Sequence, residues 1–116
     1  MHIYTVQMGK WRKVQAMAGV KLIDTTVRSG YAQVAPTWAM VEGIKDNTLP
    51  QEDYTRQYYD ILRSSRELNP RFWDALFRLE QIALGCYCAP GTFCHRHLLK
   101  DYLLQHTNAS YKGEIE

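Results

Sequence analysis

Apolar residues recur at two spacings along the chain, and the alternation between them predicts the elements. Ile3-Tyr4-Thr5-Val6 is a short β-branched and aromatic run closed by Gly9, as a strand requires. The segment KWRKVQAMA that follows puts Trp11, Val14 and Ala18 at helical spacing. Gly19 suits the end of that helix, and residues 20–27 are β-rich again until Arg28-Ser29-Gly30 stops them. A strand, a short helix and a strand in that order predict a parallel pair with a right-handed crossover. Residues 31–35 read as extended, and Pro36 is placed to open a helix through Trp38 and Val41 to about Ile44.

Thr48 and Gln51 have capping-box spacing before a long helix whose stripe is Tyr54, Tyr58, Ile61, Leu62 and Ser65. Asn69 followed by Pro70 opens another, with Phe72, Trp73, Leu76 and Phe77 as its bulky face. In QIALGCYC, Ile82, Leu84, Cys86 and Cys88 share one face and Ala83, Gly85 and Tyr87 the other. With so few polar side chains, this is a central strand covered on both sides. Thr92 is placed to cap a last helix that turns Leu98, Leu99, Tyr102 and Leu103 inward, and SYKGEIE is either a short edge strand or a frayed end. The sum is a single three-layer α/β domain over residues 1–116. It has a small parallel sheet of about three strands, helices on both faces, and a helical insert between the second and third strands.

Composition changes this picture little. Of the 116 residues, 46% are hydrophobic and 22% charged, which places the chain among globular proteins. A net charge of +2 does not by itself argue for nucleic acid, which needs clustered cations. No apolar run approaches the roughly 18 residues of a membrane span, and MHIYTVQMGKWRK lacks the order of a secretory signal. The expectation is a cytoplasmic protein whose three cysteines, an odd number, are reduced.

Open parallel sheets take ligands beyond the carboxyl ends of their strands, so residues 7–13, 25–30 and 88–97 should converge. The last of these holds every cysteine and two of the four histidines. Cys94 and His95 fall at about the second and third positions of the final helix, where free N–H groups, Arg96 and His97 favour a thiolate or a bound anion. Cys94 is therefore a candidate nucleophile with His95 or His97 as acid-base partner. It can equally be an inert core residue, or a zinc ligand with Cys86, Cys88 and either His95 or His97. Asp24 is either catalytic or an anchor for its loop, in which Thr25 and Ser29 offer polar contacts and Arg28 a fork matched to phosphate. Gly9, Lys10, Arg12 and Lys13 either hold a phosphate or form a solvated basic helix face.

Two stretches together, LIDTTVRSG running on to APTWAMV and LGCYCAPGTFCHRHLLKDYL, resemble the domain of unknown function 488 family, particularly its small bacterial and phage members. The most specific part is Cys-His-Arg followed by Leu-Leu at residues 94–99. The resemblance implies a Rossmann-like α/β fold and site positions at Asp24, Arg28, Cys94, His95 and Arg96. Larger members carry Asp-Val-Arg after the strand, whereas Thr25-Thr26-Val27 separates Asp24 from Arg28 here. Many also have an acidic residue after the strand-three cysteine, where this chain has Tyr87-Cys88.

The favoured expectation is a protein that binds, and as an enzyme processes, a nucleotide or other phosphorylated small anion. Arg28, Ser29, Thr25, Arg96 and His97 would hold the ligand, with Cys94, His95 and Asp24 at the chemistry. The alternative is a small non-enzymatic module whose cysteine-histidine cluster either binds zinc or merely packs, and whose basic and aromatic surface contacts protein or nucleic acid.

Overall fold

The computed structural model describes all of residues 1–116. The chain runs β1 (His2–Gln7), α1 (Trp11–Gln15), β2 (Lys21–Asp24), α2 (Trp38–Lys45), α3 (Gln51–Leu68), α4 (Pro70–Arg78), β3 (Gln81–Cys86), α5 (His95–His106) and β4 (Ser110–Ile115), with tight helical turns at Met8–Lys10 and Ala32–Val34. The strands form one sheet, ordered β2-β3-β1-β4 and parallel throughout. This is a mixed α/β architecture of the Rossmann-like kind. The expected count of about three strands is corrected to four, because the tail pairs with β1 instead of fraying.

Alternation along the strands feeds two cores of unequal size. Ile3, Ile23, Ile82 and Leu84 point to the face covered by α2 to α5, where they meet Tyr58, Leu62, Trp73, Leu99 and Leu103. Val6 and Ala83 point the other way and meet Val14 of α1. Both faces are covered, one by four helices and the other by a single five-residue helix. That helix is shorter than its spacing predicts because Val14 is its one buried residue, and Gly19 ends the turn after it at φ 74°. Ser65 belongs to the buried stripe of α3 because its hydroxyl accepts the indole N–H of Trp73 at 2.9 Å.

Three helix starts differ from expectation, each for a local reason. Thr37 caps α2 by accepting the Met40 N–H at 3.2 Å, so Pro36 lies outside that helix. Thr48 forms no capping box, since Asp46 takes both its N–H and its hydroxyl and Pro50 stands at the start of α3. Thr92 turns its hydroxyl to the Ala89 carbonyl at 2.6 Å, leaving Cys94 as the N-cap of α5. Cys94 and His95 therefore sit two positions earlier than expected, and β3 ends at Cys86, which puts Tyr87 and Cys88 in the exposed turn.

Arg96 ties these pieces together. Its side chain is fully buried, and it donates from Nε and Nη2 to the two carboxylate oxygens of Glu114, at 3.3 and 3.0 Å. Its Nη1 donates to the Cys88 carbonyl and the Cys86 sulfur, each at 2.9 Å. One guanidinium thus fastens α5 to β4, to the end of β3 and to the turn after it. Removing one partner of such a pair leaves a buried charge without compensation. Glu114→Ala is expected to lower the unfolding free energy in urea by about 3 kcal/mol, with Glu114→Gln losing less; a loss within experimental error would show that β4 docks without this pair.

Candidate functional site

Beyond the carboxyl ends of β2 and β3 lies a cavity of about 480 Å³. Its walls come from Trp38, Val41 and Ile44 of α2, Tyr54 of α3, and Phe93 just before α5. Cys86, Cys88, Cys94 and His95 line the side toward the sheet, and Arg28 and Lys45 add cations. Neither cation takes part in an ion pair. Burial, with Cys88 nearby adding to it, pushes the Tyr54 hydroxyl well above its ordinary range, so it stays a neutral group.

The loop after β2 is held rigid by its own polar groups. Asp24 accepts the Thr26 N–H at 2.9 Å and the Ser29 hydroxyl at 2.6 Å. Gly30 closes the loop where a Cβ would lie 2.6 Å from the Thr26 nitrogen, so no larger residue fits without a shift. Asp24 and Ser29 are therefore engaged with each other, outside the cavity lining, and what they present to the cavity is the segment carrying Arg28.

His95 has a determinate proton. The Thr25 hydroxyl donates to the Gly85 carbonyl at 2.7 Å, so toward His95 Nε2, 2.8 Å away, it acts as an acceptor. Nε2 also lies 2.9 Å from the Thr25 carbonyl, which only accepts. Nε2 therefore carries the hydrogen, and the lone pair of Nδ1 faces Cys94 Sγ at 3.8 Å. Burial, with the Arg96 charge adding to it against the Thr25 hydrogen bond, holds the imidazole at about 4. At neutral pH it is uncharged. Tyr58 meets the ring edge-on at 5.6 Å and fixes its plane.

The three sulfurs of Cys86, Cys88 and Cys94 lie within 4.8 Å of one another. Cys86 and Cys94 are joined as a disulfide across Cα atoms 7.7 Å apart, while Cys88 is free. The expectation of three reduced thiols is corrected accordingly.

The cavity thus brings together Arg28, Cys86, Cys88, Cys94 and His95, with Thr25 directly behind His95. It does not bring in Arg96, whose guanidinium is committed to Glu114, Cys86 and Cys88, nor His97. That histidine is half-buried and held below its ordinary value by burial and by Arg96, in the company of Glu114, Lys100 and Asp101. Residues 7–13 converge only partly, lining a neighbouring hollow instead. Trp38, Lys45, Tyr54 and Phe93 are additions, of which Tyr54 belongs to the expected apolar stripe of α3. Trp38 is 54% exposed.

A family model described as the Active DUF488-N3 subclade matches residues 6–107. No curated protein and no solved structure matches the chain.

Because His95 binds its proton more weakly folded than unfolded, stability is complete above about pH 6.5 and declines as the pH falls toward 4. At about 1.4 kcal/mol per pH unit, this one residue accounts for on the order of 3 kcal/mol. Urea titrations from pH 7 to 4 should show His95→Gln less stable at pH 7 and flatter across this window; parallel curves would contradict the assignment.

Proposed function

The chain belongs to the DUF488 family, and from that membership and the cavity we propose that it binds a nucleotide or a similar flat, phosphorylated ligand, with Cys94 and His95 as its reactive pair. The observation that carries this reading is the division of the cavity: apolar and aromatic walls, two unpaired cations, and the Cys94 sulfur beside a neutral imidazole. A heteroaromatic base stacks on Trp38 and Tyr54, an interaction worth about 1–3 kcal/mol. Its phosphate goes to Arg28 and Lys45, the guanidinium giving two parallel N–H donors. The match to the Active DUF488-N3 subclade is in keeping with turnover.

Chemistry at this site begins once two external thiols have reduced the Cys86–Cys94 link, themselves leaving as a disulfide. The Cys94 S–H proton passes to His95 Nδ1 as Sγ bonds to an electrophilic carbon of the ligand. The displaced electron pair moves onto a ligand oxygen or nitrogen, and that atom takes the proton back from His95. A histidine held at about 4 passes a proton on without keeping it. The Arg96 N–H donated to Cys86 favours negative charge on the partner sulfur, which makes Cys86 the better leaving group when the link opens.

A second reading has its own observation, the convergence of three sulfurs within 4.8 Å. Three thiolates supply a soft, zinc-selective set, with Nδ1 of His95 or a water as fourth ligand. In that case the chain is a zinc-binding module, and the fold of the turn at residues 87–94 depends on the ion.

Nucleoside monophosphates should raise the Tm of the reduced protein. Arg28→Ala and Trp38→Ala should each weaken binding about tenfold, or ~1.4 kcal/mol; Cys94→Ser should bind but yield no covalent adduct or product. Equal affinity in all variants would sink the assignment. Protein purified under reducing conditions without added zinc should hold no metal on this reading. One zinc per chain, lost in Cys88→Ser, would establish the second reading in its place.

A further inference from the structure

The carboxyl edge of the sheet carries more than one cavity. A second hollow of about 620 Å³ is lined by Gln7, Met8, Gly9 and Trp11 from the end of β1 onward, with Leu22 and Tyr87. Tyr87 also lines the first cavity, so one exposed residue is common to both. Of the six large apolar side chains left exposed, three (Trp11, Trp38 and Tyr87) lie along this edge. Cations accompany them. Arg28 and Lys45 belong to the first cavity, and Lys10 and Arg12 flank Trp11, the Arg12 guanidinium lying 5.2 Å from the indole centroid. None of these four cations is in an ion pair, and Asp24, the carboxylate at the end of β2, is already engaged with Thr26 and Ser29.

We infer that the two hollows are consecutive subsites of a track for single-stranded nucleic acid. One base enters the Cys94 cavity, and the next nucleotide passes over Tyr87 to stack on Trp11, its phosphates meeting Lys10 and Arg12. Unpaired polynucleotides are recognised by this combination, exposed π faces for the bases and cations without carboxylate partners for the backbone. A duplex would keep its bases from the rings. The inference rests on the nucleotide reading of the first cavity and enlarges it: the substrate is a nucleotide within a strand.

The test is fluorescence anisotropy with labelled single-stranded DNA and RNA octamers of mixed sequence, set against free nucleoside monophosphates and a duplex of the same sequence. Octamers of at least one sugar type should bind about tenfold or more tighter than the monophosphates and tighter than the duplex. The double variant Lys10→Glu/Arg12→Glu should lose that advantage and shallow the dependence of log affinity on log salt, with monophosphate binding unchanged. Trp11→Ala should lose part of it. If octamers bind no tighter than monophosphates, or if the duplex binds equally, or if the double variant matches wild type, the track is overturned while the first cavity stands. If Arg28→Ala and Trp38→Ala leave every ligand untouched, the nucleotide reading of the cavity fails. If nothing binds, both fail.

Discussion

A guanidinium with no access to water is the constraint on which the functional edge of this domain depends. Arg96 is placed one residue into α5, and burying its charge demands partners of opposite sign and acceptors for its remaining N–H groups. Glu114 supplies the first, and the Cys88 carbonyl and Cys86 sulfur supply the rest. No buried side-chain polar atom is left without a partner. Because those partners lie on β4, β3 and the turn between β3 and α5, satisfying one side chain fixes the relative positions of three segments. The N-cap residue Cys94 and its neighbour His95 are set against the cavity as a result.

A second, smaller accounting fixes the state of His95. The Thr25 hydroxyl has one hydrogen and spends it on Gly85, which leaves its lone pairs and its carbonyl to accept from Nε2. The imidazole is thereby oriented across from β2 and kept neutral by burial. The same two facts turn the unprotonated Nδ1 toward sulfur. Neutral, lone pair outward and beside a cysteine, it suits either proton relay or metal ligation, and this is why the thiol and zinc readings meet at the same atoms.

Much of the fold was legible because its cores obey simple periods. Ile3, Ile82 and Leu84 alternate as strand residues must, and Tyr54, Tyr58 and Leu62 recur as a helix stripe must. The fourth strand was not settled because its residues are exposed or half-buried and carry charge. What makes them a strand is remote: Glu114 reaching Arg96, and the Tyr111 hydroxyl meeting Thr5 at 2.6 Å. The candidate site was legible to the extent that chemistry-bearing residues cluster in sequence, as Cys86, Cys88, Cys94 and His95 do. Arg96 misled for a physical reason, since an arginine near a sheet edge has the same spacing whether it points to a ligand or into the protein. Trp38 was hidden for the converse reason, an aromatic at core spacing that faces a cavity.

The most direct test of the account is ligand protection of Cys94. Reduced protein is alkylated with iodoacetamide over time, with and without saturating nucleoside monophosphates, and modification of each cysteine is followed by mass spectrometry. The account predicts that Cys94 is alkylated through the cavity and that nucleotide slows this several-fold. Alkylation of Cys94 at the same rate with and without nucleotide would contradict it.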